Sequence, residues 1–226
     1  MPGRKATTPT WPNASVLPVA QVRRKKSVML SLVALALTAV LTPVAHARDS
    51  NHELSQKLLQ IRAQDQRMQN IGWKLVSANA SYCEQTVPSI GLQLVDVAGY
   101  RKPAQIREAL GLSSQFAIYT IAAGSPASHA QLPLMAEVLA VDGKPLTDIP
   151  AKTHSDWERL ASVHDAVEQS LLADGSVGLE LADGQTHTVE GTAVCASRFE
   201  LGGKNKQALA DGSRVILGRN FPGFAY

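Results

Sequence analysis

Side chains able to do chemistry are few in this chain of 226 residues, with two cysteines, six histidines and 19 acidic residues. Five histidines, His52, His129, His154, His164 and His187, lie beyond residue 47, and none has another histidine four positions away. A helical zinc-peptidase site needs two histidines one turn apart and a glutamate base between them. The nearest approach is His52-Glu53-Leu54-Ser55-Gln56. Gln56 stands where the second histidine belongs, so the stretch reads as a helix start with Glu53 near its positive end. There is no G-x-S-x-G elbow and no phosphate loop, and a triad assembled only in space leaves no trace in sequence. The chain as given is expected to be non-catalytic, with no metal ligands and no cofactor.

The two thiols, Cys83 and Cys195, depend on compartment for their chemistry. Arg23-Arg24-Lys25-Lys26 precede an apolar run from Val28 to Leu41, followed by Pro43 and Ala45-His46-Ala47. A basic region, a short apolar region and an A-x-A site are the grammar of a secretory signal. The run falls short of the roughly 20 apolar residues a membrane span needs. We read residues 1–47 as a signal peptide cleaved after Ala47 and the protein as periplasmic or otherwise exported. The alternative is an uncleaved anchor, the one case that brings a membrane in as partner. In an oxidising compartment Cys83 and Cys195 are expected to bond, two buried free thiols being the alternative. A zinc site would need further ligands beside them.

Export changes the charge argument. Removing the six basic residues of 1–47 from the total of 22 leaves 16 against 19 acids, a formal charge of −3. The basic balance thus belongs to the targeting segment, and a nucleic-acid binder, which carries its basic patch on the folded domain, is excluded.

Four segments follow from patterning. Residues 48–84 read as a long helix, with Leu54, Leu58, Ile61, Met68, Ile71, Leu75 and Ala78 recurring at spacings of three, four and seven. From Pro88 the texture changes. Ile90 to Val97 reads as a strand around Gly91, and Pro103 to Leu110 as a short helix capped by Gly111. Phe116–Ile121 is a strand, and Ser125-Pro126 opens a helical turn to about Gln131. Glu137 to Val141 is a strand before an Asp142-Gly143 turn. Ser155-x-x-Glu158 is a capping box opening a helix to about Ala173, with Trp157, Leu160, Ala161, His164, Val167 and Leu171 along one face. A hairpin of 177–181 with 186–189 follows. Residues 85–195 therefore form one domain, with 196–226 as an extension.

Gly124-Ser125-Pro126-Ala127, Ala130-Gln131-Leu132 and Val138-Leu139-Ala140-Val141-Asp142-Gly143-Lys144-Pro145 resemble a bacterial PDZ domain over about residues 88–192. The family pattern is G-S-P-A-x-x-A-G-L, G-D, a strand, then N/D-G-K. This chain departs at Gln131, where the pattern has glycine, and at Met135-Ala136, where it has Gly-Asp. The resemblance implies an α+β, PDZ-like small β-barrel or sandwich with two helices, here preceded by the long N-terminal helix. It implies binding of a peptide, a protein C-terminus or an unfolded segment as an added strand. The implied peptide-binding residues are Ile90, Gly91, Leu92 and Leu94 on the strand, with Trp157, Leu160 and His164 on the helix opposite. Ordinary core packing of the apolar members is the competing reading.

Beyond the domain, Cys195-Ala-Ser-Arg-Phe-Glu-Leu201 and Gln207-Ala-Leu-Ala-Asp-Gly-Ser-Arg-Val-Ile-Leu217 are similar to the strands just upstream of the zinc helix in HtpX-like and Oma-type metallopeptidases. That resemblance implies the alternative function, the non-catalytic N-terminal part of a zinc metalloendopeptidase, with zinc only if a catalytic domain carrying H-E-x-x-H completes it. A structural scaffold with no open cleft is the third reading. With no zinc helix present, Val215 and Leu217 are expected to lack a packing partner, making residues 203–226 the least stable part.

Overall fold

A computed structural model describes residues 43–150, 157–211 and 213–222. Residues 1–42 of the expected signal segment and Ser155 of the capping box lie outside these residues. In chain order the elements are α1 (Pro43–Ala78), β1 (Thr86–Ser89), β2 (Leu92–Asp96), α2 (Pro103–Leu110), β3 (Phe116–Ile121), α3 (Pro126–His129), β4 (Val138–Val141), β5 (Lys144–Pro145), α4 (Glu158–Asp174), β6 (Ser176–Leu181), β7 (Thr186–Glu190), β8 (Thr192–Cys195), β9 (Arg198–Leu201), β10 (Ala208–Ala210) and β11 (Arg214–Leu217). The fold is α+β. Its described strands form four sheets, β1-β8, β2-β3, β5-β4-β6-β7 and β10-β11-β9, none closed into a barrel. Pairing is antiparallel except for β9 with β11.

Local chemistry explains the turns. Ser125, fully buried, accepts from the Ser128 N–H and caps α3, whose first residue is Pro126. Gly111 takes the left-handed conformation (φ 69°) and closes α2 through the Glu108 carbonyl. Asp142 and Gly143, φ 47° and 70°, form the two-residue turn between β4 and β5. Gln131 and Met135 are also left-handed, φ 55° and 64°. These are the positions where the sequence lacks glycine, so the backbone makes those turns at a cost of roughly 1–2 kcal/mol each.

The principal core gathers Ile90, Leu94, Phe116, Ile118, Leu132, Val138, Val141 and Leu146 with Val163, Val167 and Leu171 of α4 and Val177, Leu179, Leu181 and Val189 of the hairpin. The inner stripe of α4 is Arg159, Val163, Val167 and Leu171. Trp157, expected on that stripe, is 68% exposed and stands before the first helical residue.

The inner face of α1 also differs from expectation. Met68, Trp73 and Val76 are buried, whereas Ile71 and Leu75 are 41% and 48% exposed. The inward stripe follows 54, 58, 61, 65, 68, 72 and 76, so it includes Asp65 and Gly72, a charge and a glycine that an apolar count passes over. Gly72 is required there, because a Cβ would stand 2.8 Å from the Phe199 ring of β9. The helix ends at Ala78, short of the expected 84. The Asn79 side chain bonds the Leu75 carbonyl at 2.8 Å and a 3-10 turn, Ala80–Tyr82, follows.

Cys83 and Cys195 form a disulfide, with Cα atoms 5.5 Å apart and a sequence separation of 112. It ties the end of α1 to the last strand of the domain, closing a loop worth about 4–5 kcal/mol on the chain-entropy account. Gln66 Nε2 donates to the Ile121 carbonyl at 2.6 Å and its Oε1 accepts from the Ile121 N–H at 3.1 Å, so this helix amide mimics an added strand at the end of β3. Asn70 Oδ1 accepts from the Ala123 N–H at 2.9 Å.

The extension is not left without a partner. Gln69 Nε2 donates to the Phe199 carbonyl at 3.0 Å, and Arg219 Nη2 reaches both Asp65 oxygens at 2.9 and 3.1 Å. Val215 and Leu217 of β11 are partly buried, because β11 lies beside β9, which packs on α1. All three residues of β10 remain exposed.

Candidate functional site

The expected site brings β2 and α4 together. β3 pairs with one edge of β2, in a register that slips between Gln93 and Leu94. No strand pairs with the other edge among the described residues, and α4 lies beside it. There the Leu94 N–H donates to His164 Nε2 at 3.5 Å. An accepting Nε2 requires a neutral imidazole with its proton on Nδ1. Burial lowers the His164 pKa to about 4, helped by the positive charge of Arg198 and opposed by Asp165. Arg198 pairs with Glu168 at 3.7 Å.

Both ends of α4 are pinned. At the N-terminal end Arg159 Nη1 stands 3.2 Å from both Asp96 oxygens and 2.6 Å from Gln115 Oε1, and Nε donates to the Ile149 carbonyl at 3.1 Å. Its guanidinium lies 4.4 Å from the Phe116 ring centroid. Arg159 and Asp96 are both buried. Burial raises the Asp96 pKa, outweighing the Ala98 N–H and Arg159, which pull it down. At the other end Leu171 packs where Gly191 and Pro88 meet, a Cβ at Gly191 falling 3.0 Å from Leu171 and 3.5 Å from Pro88.

The seven residues expected to bind peptide divide into groups. Ile90 and Leu94 are buried in the principal core, and Leu92 and Leu160 pack against it, so their apolar side chains face inward. Trp157 is exposed to solvent. His164 meets the β2 edge through Leu94. Gly91 is left-handed (φ 70°), and the close approach it permits is to the chain itself: a Cβ would lie 2.8 Å from Ser125 Oγ and 3.0 Å from the Trp73 ring. Its amide donates to Ser89 Oγ and its carbonyl accepts from Ala122.

The sequence reading missed Arg159 and Asp96. The pair is separated by 63 positions, and its one visible trace is a charge near the start of a helix whose apolar stripe begins early. It also missed a second cleft of about 210 Å3 between α1, β2 and β9, lined by Asp65, Met68, Gln69, Gln93, Glu200 and Leu201. Burial raises the Asp65 pKa against the pull of Arg219 and of the Tyr119 hydroxyl, which donates to it at 3.1 Å.

Among the described residues no group of three or more His, Cys, Asp or Glu is placed to hold a metal ion, and no helix is long and apolar enough to cross a membrane. Comparison with family models, with curated proteins and with solved structures finds no match to this chain.

Proposed function

We propose that this chain is an exported peptide- or protein-binding module of the PDZ type, which takes an extended segment as an added strand on the free edge of β2, beside α4. The observation that carries the reading is that edge: among the described residues β2 has one strand neighbour, and its other side offers a backbone donor, Leu94 N–H, to a helix side chain. A strand edge with unpaired backbone groups is a template for another strand. The left-handed backbone at Gln131 and Met135 supports the reading, since these are positions where the resembled pattern carries glycine. Panning a random-peptide library with free C termini on the purified protein tests the proposal. Enriched peptides with micromolar affinity are expected, and a library that yields none would defeat it.

A second reading, the non-catalytic part of a zinc metallopeptidase, draws support from β10, whose exposed outer edge offers a pairing site to a further domain. Its test is the coding sequence beyond codon 226, read for an H-E-x-x-H helix.

A further inference from the structure

We infer that His164 is a latch on the β2 edge, an internal competitor that an incoming strand must displace from the Leu94 N–H. The inference rests on the peptide-binding reading above and adds how that site is held closed.

An edge N–H that faces away from its sheet needs a partner, normally water or another strand. For Leu94 the partner is the imidazole of α4, so the position where an added strand would place a carbonyl oxygen is already filled. Three features keep the ring there. The desolvated imidazole stays neutral down to about pH 4 and therefore remains an acceptor. The Arg159–Asp96 pair fixes one end of α4 against β2, and Leu171, Pro88 and Gly191 fix the other. Arg198 of β9, paired with Glu168 at 3.7 Å, disfavours protonation of the ring, against the opposite pull of Asp165 on α4. With both helix ends held, the low-cost opening is rotation of the His164 side chain, not movement of the helix.

The ligand this selects is an extended backbone able to supply a carbonyl to Leu94 in place of the imidazole. One exchanged hydrogen bond sets the size of the effect: removing the latch should tighten binding about two- to tenfold.

The test compares the full-length wild-type chain with His164→Leu, which removes the acceptor for the Leu94 N–H, and His164→Gln, which keeps a neutral acceptor. Amide hydrogen exchange at Leu94 reads the latch without any ligand. Peptides selected from a random library with free C termini read the competition. Native circular dichroism and an unfolding midpoint for each variant establish that it is folded; should His164→Leu fail, His164→Ala replaces it. The expected result is faster Leu94 exchange in His164→Leu, restored protection in His164→Gln, and selected peptides that bind His164→Leu about two- to tenfold more tightly than wild type. Unchanged Leu94 exchange in His164→Leu overturns the latch. Peptides that bind both proteins equally overturn it while leaving the peptide-binding reading standing. Faster exchange with no peptide enriched by either protein removes the peptide-binding reading, and the latch falls with it.

Discussion

Replacing Arg159 by methionine should be the most damaging single change in the cleft, and the structure says by how much. Arg159 is 6% exposed. Its guanidinium spans Asp96 at 3.2 Å and Gln115 at 2.6 Å, its Nε reaches the Ile149 carbonyl, and its plane lies over Phe116. Methionine fills much of the volume and keeps the contact with Phe116, but leaves the Asp96 carboxylate buried with only the Ala98 N–H. Removing one partner of a buried pair costs about 3–5 kcal/mol, whereas removing both charges is often neutral. The single variant Arg159→Met should lose that amount. The double variant Asp96→Asn/Arg159→Met should lose much less, since the introduced amide carries no charge and its oxygen still accepts from the Ala98 N–H. The pH dependence has a definite sign. Burial already raises the Asp96 pKa in the folded state, and losing Arg159 raises it further. Stability from a raised group is present at low pH and lost as pH rises through the folded pKa, so the deficit should shrink as pH falls into the carboxylate range. Urea unfolding followed by intrinsic tryptophan fluorescence, at neutral pH and again in the carboxylate range, measures all of this. A deficit below about 1 kcal/mol, or a double variant no better than the single, would refute the account of how α4 is held.

Three further outcomes follow from individual residues. The His164 pKa of about 4 lies below the unfolded value of about 6.5, so the stability that the neutral ring supplies is complete above pH 6.5 and lost as pH falls towards 4, by up to about 3 kcal/mol; urea titrations should show this slope in wild type and its absence in His164→Gln. Gly91→Val should lower stability by about 2–3 kcal/mol or more, from left-handed strain and overlap with Ser125 and Trp73, and an unchanged Tm would contradict the packing described. Gln131→Gly should raise stability by roughly 1 kcal/mol, since Gln131 is exposed and its left-handed backbone is what costs; a lower unfolding midpoint would show that the side chain contributes more than its exposure indicates.

Elements whose signals are local were legible. Proline and glycine around α2, the Ser125-Pro126 start of α3, the Asp142-Gly143 turn and the β6–β7 hairpin are each set by a few adjacent residues, and each forms where the sequence places it. The disulfide was legible because two cysteines leave one pairing. What escaped depends on partners far away in sequence. The face of α1 was misread beyond Met68 because its true stripe holds Asp65 and Gly72, whose fitness there is decided by Arg219 and Phe199. Hydrophobicity places Trp157 on the inner face of α4, while Arg159, buried through Asp96 and Phe116, carries no apolar signal that would single it out. The extension was expected to be unsupported because nothing within 203–226 says that β9 docks on α1. His164 is named as a cleft residue, but its contact with the Leu94 backbone joins positions 70 apart in sequence, which no side-chain pattern encodes.

The central claim is that the free edge of β2 beside α4 receives an extended peptide, and amide chemical-shift mapping with a library-selected peptide tests it most directly. The account predicts the largest shifts at Leu92, Leu94 and Asp96, with His164 responding in step, and intermolecular contacts in strand register along β2. Shifts confined to the α1–β9 cleft around Gln69 and Glu200, or to the exposed edge of β10, would contradict it.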